Sequence, residues 1–490
     1  MDFDEIIESI SKEVIDEKDN IEQVALTILS SYTDNPQNLR ILAPSGEGKT
    51  HTVLQTAKYF PQKNIWKISE ASSKSFRYLA QKKVIETDEG FKDFDEVIEQ
   101  YSDQLSDKTK RKEAEKKIKE LENQAYFLLD FTNVTIIFLD AQSFGLWESL
   151  KTTLSHDDVI RKDITTNKIN GKNQLQKTAY KGFPAVIYCS AKDEISRDKT
   201  DEMNTRFNTV SIKGSTKKYK QILNLVLQND DPTQEIITQN EIRETKSKVE
   251  RIIENIKAFH GVFNPFAQNI ADNFPCDRGS RARQLKTLSN TVKMLTLSRS
   301  EDKFSIIKDD KQFLISSKSD VIEAIQMIRE ANPIATTKIQ FFNEKIRPFL
   351  LGRLDKSPAI EIAEHLESDR KKILETYLTP YVEHGYLEKE QDPDNRSRDL
   401  YSLSLKYEKQ QASIFSTLID VSTIDISCLK NTLECRLEQG YKIVSSKGEV
   451  CSIDDVVNNQ EAIDTIPTES IPKINSVDVS NSVDNLGDVK

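Results

Sequence analysis

Two glycines, a lysine and a threonine lie close together at residues 43–50, Ala-Pro-Ser-Gly-Glu-Gly-Lys-Thr. They follow the apolar run Leu39-Arg40-Ile41-Leu42 and precede a stretch with helical patterning. Residue types in this order suit phosphate. Gly46 and Gly48, set among Ser45, Glu47 and His51, let backbone N–H groups wrap an anion. The Lys49 ammonium reaches β- and γ-phosphates, and the Thr50 hydroxyl is a Mg²⁺ ligand. The helix that starts here adds the positive end of its dipole. The pattern G-x-x-x-x-G-K-[ST] carries alanine at its first glycine, where only a small side chain is needed. The implied ligands are ATP and Mg²⁺.

Such a loop needs an acid at the end of a neighbouring strand to hold Mg²⁺ through water. Asp140, closing Thr135-Ile136-Ile137-Phe138-Leu139-Asp140, suits that role. Many ATPases with this pairing place glutamate next, to activate water. Here Ala141 and Gln142 follow, and Glu148, Asp157 and Asp158 are the acids available as substitutes. Ser190 ends another apolar run and could sense a γ-phosphate or orient water. Arg206, before a further short apolar run, could reach across a subunit boundary to a neighbour's γ-phosphate. Such fingers contribute roughly 10³- to 10⁵-fold in rate in other phosphoryl-transfer systems.

The elements that must position these residues read as an α/β fold. Apolar runs at 39–42, 64–68, 133–140 and 183–191 alternate with helical patterns, which predicts a parallel sheet in a three-layer αβα sandwich. Residues 1–36 predict two amphipathic helices, with Ile6, Ile7, Ile10, Val14 and Ile15, then Ile21, Val24, Ala25, Ile28 and Leu29, at helical spacing. The ATPase core spans 37–230, and a charged helical insertion at 90–125 interrupts it. A helical lid follows over 235–335 and a compact domain over 338–406. Residues 407–451 stay unassigned, and 452–490, poor in aromatics, predict a disordered tail. The 490-residue chain is too long for one core. No apolar run is long enough to span a bilayer. An acidic start without an apolar leader and five scattered cysteines point to a reducing cytoplasm. A net charge of −10 confines any nucleic-acid contact to local basic elements.

In this order the motifs resemble AAA+ ATPases, and within them the branch of minichromosome-maintenance helicases and helicase-like proteins of viruses and plasmids. The resemblance rests on "EKDNIEQVALTILSSY" before the loop, "SGEGKT", "IIFLD", "NTRF" and "RARQLKTLSNTVKML", and covers roughly residues 15–300. "NTRF" is similar to that branch's arginine-finger motif. Arg283 matches its second nucleotide-sensing arginine, on the lid. The resemblance implies ATP hydrolysis coupled to DNA and a homo-oligomer, a hexamer in the helicases. No N-terminal oligonucleotide-binding domain is visible, a departure that favours a divergent or mobile-element relative.

Two basic elements bear on DNA. Residues 159–182 predict a β-hairpin turning at Asn170-Gly171, with Arg161, Lys162, Lys168, Lys172, Lys177 and Lys181 on its arms. In the helicase branch such a hairpin points into the pore of a hexamer, which makes Lys168 and Lys172 candidates for phosphate contact. Residues 338–404 predict three helices and a two-stranded wing, a winged helix-turn-helix pattern. Arg370, Lys371 and Lys372 open its third helix, and Arg396 and Arg398 lie on the wing. The leading reading is a DNA-coupled ATPase of helicase or translocase type. An origin-recognition or loader-type ATPase and an ATP-binding DNA-binding regulator with little hydrolysis are the rivals; Ala141 supports the second.

Overall fold

Five apolar strands form a fully parallel sheet, and their alternating side chains enter two different cores. The strands are β1 (Asn38–Leu42), β2 (Ile65–Ile68), β6 (Thr135–Phe138), β9 (Ala185–Ser190) and β10 (Asn208–Ser211), in the order β10-β1-β9-β6-β2. Leu39, Ile41, Ile137, Ile187 and Cys189 face the helices Lys18–Ser30 and Lys49–Ala57. Ile136, Phe138, Val186 and Tyr188 face Leu146, Trp147, Leu150 and Leu154 of the helix Phe144–Ser155. The Trp147 ring meets Phe138, Tyr188 and Phe207 edge-on at 5.4, 4.9 and 5.6 Å. A strand buried on both faces reads as a continuous apolar run because each parity has its own core. The computed structural model describes residues 2–464, except 44, 73–74, 81, 102–109, 141, 170–171, 191–205, 213–214, 231–236, 277–280, 329–337, 339–340, 354, 384, 394, 396–397, 405–418 and 420.

A second sheet corrects the reading of the charged insertion. It contains β3 (Lys82–Thr87), β4 (Gly90–Asp93), β5 (Tyr126–Asp130), β7 (Ile160–Ile169) and β8 (Lys172–Lys181), in the order β4-β3-β5-β8-β7. Residues 90–93, expected to be helical, are a strand, and the basic hairpin joins the insertion in one sheet. Charge obscured the strands in the sequence. Lys82 pairs with Asp93 at 3.1 Å and Lys162 with Glu86 at 2.6 Å across the sheet, and Lys83 with Glu122 of the helix Arg111–Gln124 at 2.9 Å, so acids and bases neutralise one another. The helix Arg111–Gln124 has only Ala114 fully buried, as its charge requires.

The region read as a helical lid, 235–335, is less helical than expected. Its helices Gln239–Ala258, Ala267–Asn273, Arg281–Ser298 and Lys318–Met327 surround a sheet of β11 (Gly261–Phe263), β12 (Ser305–Lys308), β13 (Lys311–Ile315) and β17 (Lys442–Val444), in the order β11-β13-β12-β17. β17 comes from beyond the 338–406 unit, so that unit is an insertion within the lid. The unassigned residues 407–451 supply this strand and the helix Ser427–Glu438, which buries Leu429 and Leu433. The expected disordered tail begins instead with a helix, Ile453–Asp464. Val456 is fully buried there, and the Gln460 side chain accepts a hydrogen bond from the Lys318 N–H at 2.9 Å.

The inserted unit has its own core of Phe342, Ile346, Ile362, Leu378, Tyr381 and Tyr401. Helical segments at 342–351, 359–365 and 370–383 precede the sheet of β14 (Ser357–Pro358), β15 (Leu387–Gln391) and β16 (Asp399–Leu403), in the order β14-β16-β15. The third helix is capped by Asp369, whose carboxylate accepts from the Lys372 N–H at 3.0 Å.

Candidate nucleotide site and nucleic-acid surfaces

The 43–50 loop runs from the carboxyl end of β1 into the helix Lys49–Ala57. Gly46 has φ +90° and Gly48 +85°, and no atom lies within 4 Å of where a Cβ would stand. Backbone conformation, and not crowding, therefore demands glycine at both. As the residue before the helix, Gly48 offers no capping side chain to the first-turn N–H groups. The Ala43 N–H donates to the Ser190 carbonyl at 3.3 Å, which ties the loop to the end of β9. Pro44 lies outside the described residues.

Lys49 and Thr50 follow β1, Cys189 and Ser190 end β9, and Asp140 follows β6, three neighbouring parallel strands. Burial pushes the Cys189 thiol up to about 11; the Lys49 charge and a Thr50 hydrogen bond oppose the shift, and the Asp140 charge reinforces it. Ser190, 4 % exposed, is the next residue on β9. Four of the predicted site residues thus gather at the carboxyl edge of the sheet, where open α/β sheets bind ligands.

Sequence reasoning missed three contributors. Gln142 staples two strand ends: its Nε2 donates to the carbonyls of Ser69 and Asp140 at 2.7 and 2.8 Å, and its Oε1 accepts from the Ala71 N–H at 3.0 Å. Tyr219, on the helix Thr216–Asn229, donates to Glu47 Oε1 at 2.7 Å. One residue earlier, Lys218 forms a buried ion pair with Glu17, which also accepts from Asn20. These are long-range contacts without local patterning. His51 is exposed, and its Nε2 lies 3.3 Å from the Glu13 carbonyl, which ties its helix to the turn after residue 11.

Other candidates lie elsewhere. Asn38 opens β1, and its Nδ2 donates to the Arg206 carbonyl at 3.3 Å and to that of Leu154 at 3.5 Å. Arg206 donates from Nη1 to the Lys151 carbonyl at 2.9 Å. Arg206, Asp157 and Asp158 therefore lie at the amino-terminal edge of the sheet, a strand's length from the loop of their own chain. Arg283 is exposed near the start of the helix Arg281–Ser298. Thr291 of that helix accepts from Gln37 Nε2 at 3.3 Å, which brings the middle of the helix to the start of β1. Glu148 is exposed on its helix, and Ala141 lies outside the described residues.

The hairpin outgrows its sheet. β7 and β8 pair over ten residues each, whereas β5 meets β8 only from Thr178 to Lys181. Arg161 is fixed at the base, stacked 4.3 Å from the Tyr180 ring centre. Lys168 and Lys172 belong to the distal strands, with their side chains outside the described residues, as are Asn170 and Gly171. In the inserted unit Arg370, Lys371 and Lys372 are exposed. Arg398 donates from Nε to Asp392, itself 4 % exposed, at 2.7 Å, so it first serves to hold the strand ends together. Arg396 lies outside the described residues. No described helix is long and apolar enough to cross a membrane.

No protein-family model and no curated protein matches the chain. Among solved structures, a full-length MCM homolog from Methanopyrus kandleri matches at 11% identity and TM-score 0.28, over 66% of this chain and 58% of that one. The Thermotoga maritima RuvB Holliday junction branch migration motor matches at 11% identity and TM-score 0.23, over 81% of this chain and 96% of that one. The chain thus spans 58% of the length of the MCM homolog. Likenesses this distant carry no argument, so the function is argued from the site.

Proposed function

We propose that the chain is an AAA+ ATPase that couples Mg²⁺-ATP hydrolysis to DNA, of the helicase or translocase kind in the minichromosome-maintenance-like branch. The observation that carries the nucleotide reading is that Lys49, Thr50 and Asp140 follow the carboxyl ends of strands in one parallel sheet, beside two left-handed glycines. Among the described residues no group of three or more His, Cys, Asp or Glu forms a metal cage. Thr50 and Asp140 fit Mg²⁺, which keeps several waters and takes few protein ligands beside phosphate oxygens. Bound there, Mg²⁺ would neutralise charge developing on the transferred phosphoryl group.

In this mechanism backbone N–H groups of 45–50 orient the phosphates and Lys49 balances their charge. Asp140 would help hold Mg²⁺ through water, and Ser190 would orient the attacking water or read the γ-phosphate. Arg206, remote from its own loop, acts on the loop of a neighbouring copy, and Arg283 reads the nucleotide, which makes the active form an oligomer. The hairpin and the 338–404 unit, read as a winged helix, supply DNA contacts through Lys168 and Lys172, and through Arg370, Lys371 and Lys372.

ATP turnover with and without single-stranded DNA, beside Lys49→Ala, tests the reading. The expected result is turnover that DNA raises several-fold and that Lys49→Ala abolishes. No turnover above the Lys49→Ala background refutes it and leaves the second reading, a nucleotide-gated DNA binder. One observation favours that reading: Gln142, near where a hydrolytic glutamate is sought, is committed to backbone. Removing the hairpin lysines separates a motor, which loses DNA stimulation, from a loader, which keeps it.

A further inference from the structure

A cavity of about 640 Å³ lies where the lid meets the start of β1, remote from the nucleotide loop. Residues 32–35 form one wall; the end of the helix Gln239–Ala258, the helix Arg281–Ser298 and the lid sheet form the rest. The five residues of β1, about 16 Å at ~3.3 Å each, separate it from the loop. Its size is within the usual range for a small-molecule site.

Three features point to a ligand and to its chemistry. The first is Asn290, only 9% exposed, which lines the cavity in mid-helix and makes no hydrogen bond among the described residues. Its amide is open to the cavity, so a ligand head group can take the place of water there. The second is charge. Lys257 and Lys293 both line the cavity, and neither forms an ion pair with a described carboxylate. Lys257 lies 5.2 Å from the Tyr32 ring centre, and Asp34 is the acid on the opposite wall. His260 adds a ring whose Nδ1 accepts from the Gln312 N–H at 3.3 Å, which leaves the proton on Nε2. The third is an apolar floor of Met294, Leu297 and Phe313.

We propose that this cavity binds a small organic anion: an apolar or aromatic body with one phosphate or carboxylate group. The lysines take the charge, the Asn290 amide fixes the head group, and the floor takes the body. The ligand would bridge core and lid. The inference is independent of the nucleotide reading.

The test is calorimetric titration of the full chain carrying Lys49→Ala, which removes the loop lysine from competition. The probes are phenyl phosphate, benzoate and inorganic phosphate. Phenyl phosphate or benzoate is expected to bind with Kd below about 1 mM, and the tighter of the two identifies the head group. Inorganic phosphate, which cannot use the floor, should bind at least about tenfold more weakly. Adding Asn290→Leu should weaken binding at least about tenfold. Lys293→Glu, a surface change that leaves the core intact, should weaken it similarly. Failure of both organic probes to saturate, equal affinity in either variant, or inorganic phosphate binding as tightly as phenyl phosphate would overturn the proposal.

Discussion

Lys218→Met tests how the helix beside the loop is held. The Lys218 and Glu17 side chains are 3% and 4% exposed, and the pair joins the start of the helix Thr216–Asn229 to the segment before Lys18–Ser30. Burial raises the Glu17 carboxyl above its ordinary value, while hydrogen bonds from Lys218 and Asn20 oppose the rise. Removing one partner of a buried pair costs about 3–5 kcal/mol, because a charge is left without its counterion. Glu17 can escape part of that cost by taking a proton. A carboxyl with a raised folded-state pKa stabilises the fold below its unfolded value, and the stability is lost as pH rises through the folded value. Without Lys218 the folded value rises further. The variant should therefore approach wild-type stability near pH 5 and lose up to about 1.4 kcal/mol per pH unit above that. Urea denaturation of both proteins from pH 5 to 8, followed by Trp fluorescence, measures this. Glu17→Leu combined with Lys218→Met should recover most of the loss, since an apolar pair has no charge to strand. A single-variant loss independent of pH, or a double variant no better than the single one, would refute the reasoning.

His156 gives a second pH signature. Burial, aided by the Lys286 charge, depresses its imidazole to about 4 from an ordinary 6.5. Its contribution is present above pH 6.5 and is lost as pH falls through 4, up to about 3 kcal/mol. His156→Asn, which tolerates the left-handed φ of 56°, should flatten stability between pH 6.5 and 4.5 in urea titrations. Ending the chain at residue 418 removes Leu429, Leu433, Ile443 and Val456, each at most 1% exposed. At roughly 1.5–3 kcal/mol per buried side chain the loss rivals a domain's whole stability, so limited proteolysis should find the lid unfolded. Mixing inactive Lys49→Ala and Arg206→Ala chains should restore part of the ATP turnover if Arg206 serves a neighbour; no recovery in the mixture argues that it does not.

The loop and the strands of the parallel sheet were legible from residues 39–50, 133–140 and 183–191, because their signals are local. Left-handed glycines, a lysine after them and β-branched runs each declare themselves within a few residues. The N-terminal helices were equally legible: Ile6, Ile7, Ile10, Ile21, Val24 and Ile28 are all buried, as their spacing requires. The strands of the insertion were hidden because their exposed charges pair across the sheet, so residues 82–93 lack an apolar face that could be read.

Sequence by itself determined the glycine-lysine-threonine loop after β1 and which strand end would carry Asp140. Only the tertiary structure decided which residues share the loop's edge and which lie a strand's length away. Arg206 falls on the far edge because β10 begins beside the start of β1. Gln142, Tyr219 and the return of β17 to the lid were likewise decided there. Each depends on contacts between residues far apart in the chain, and no window of neighbouring residues records such a contact.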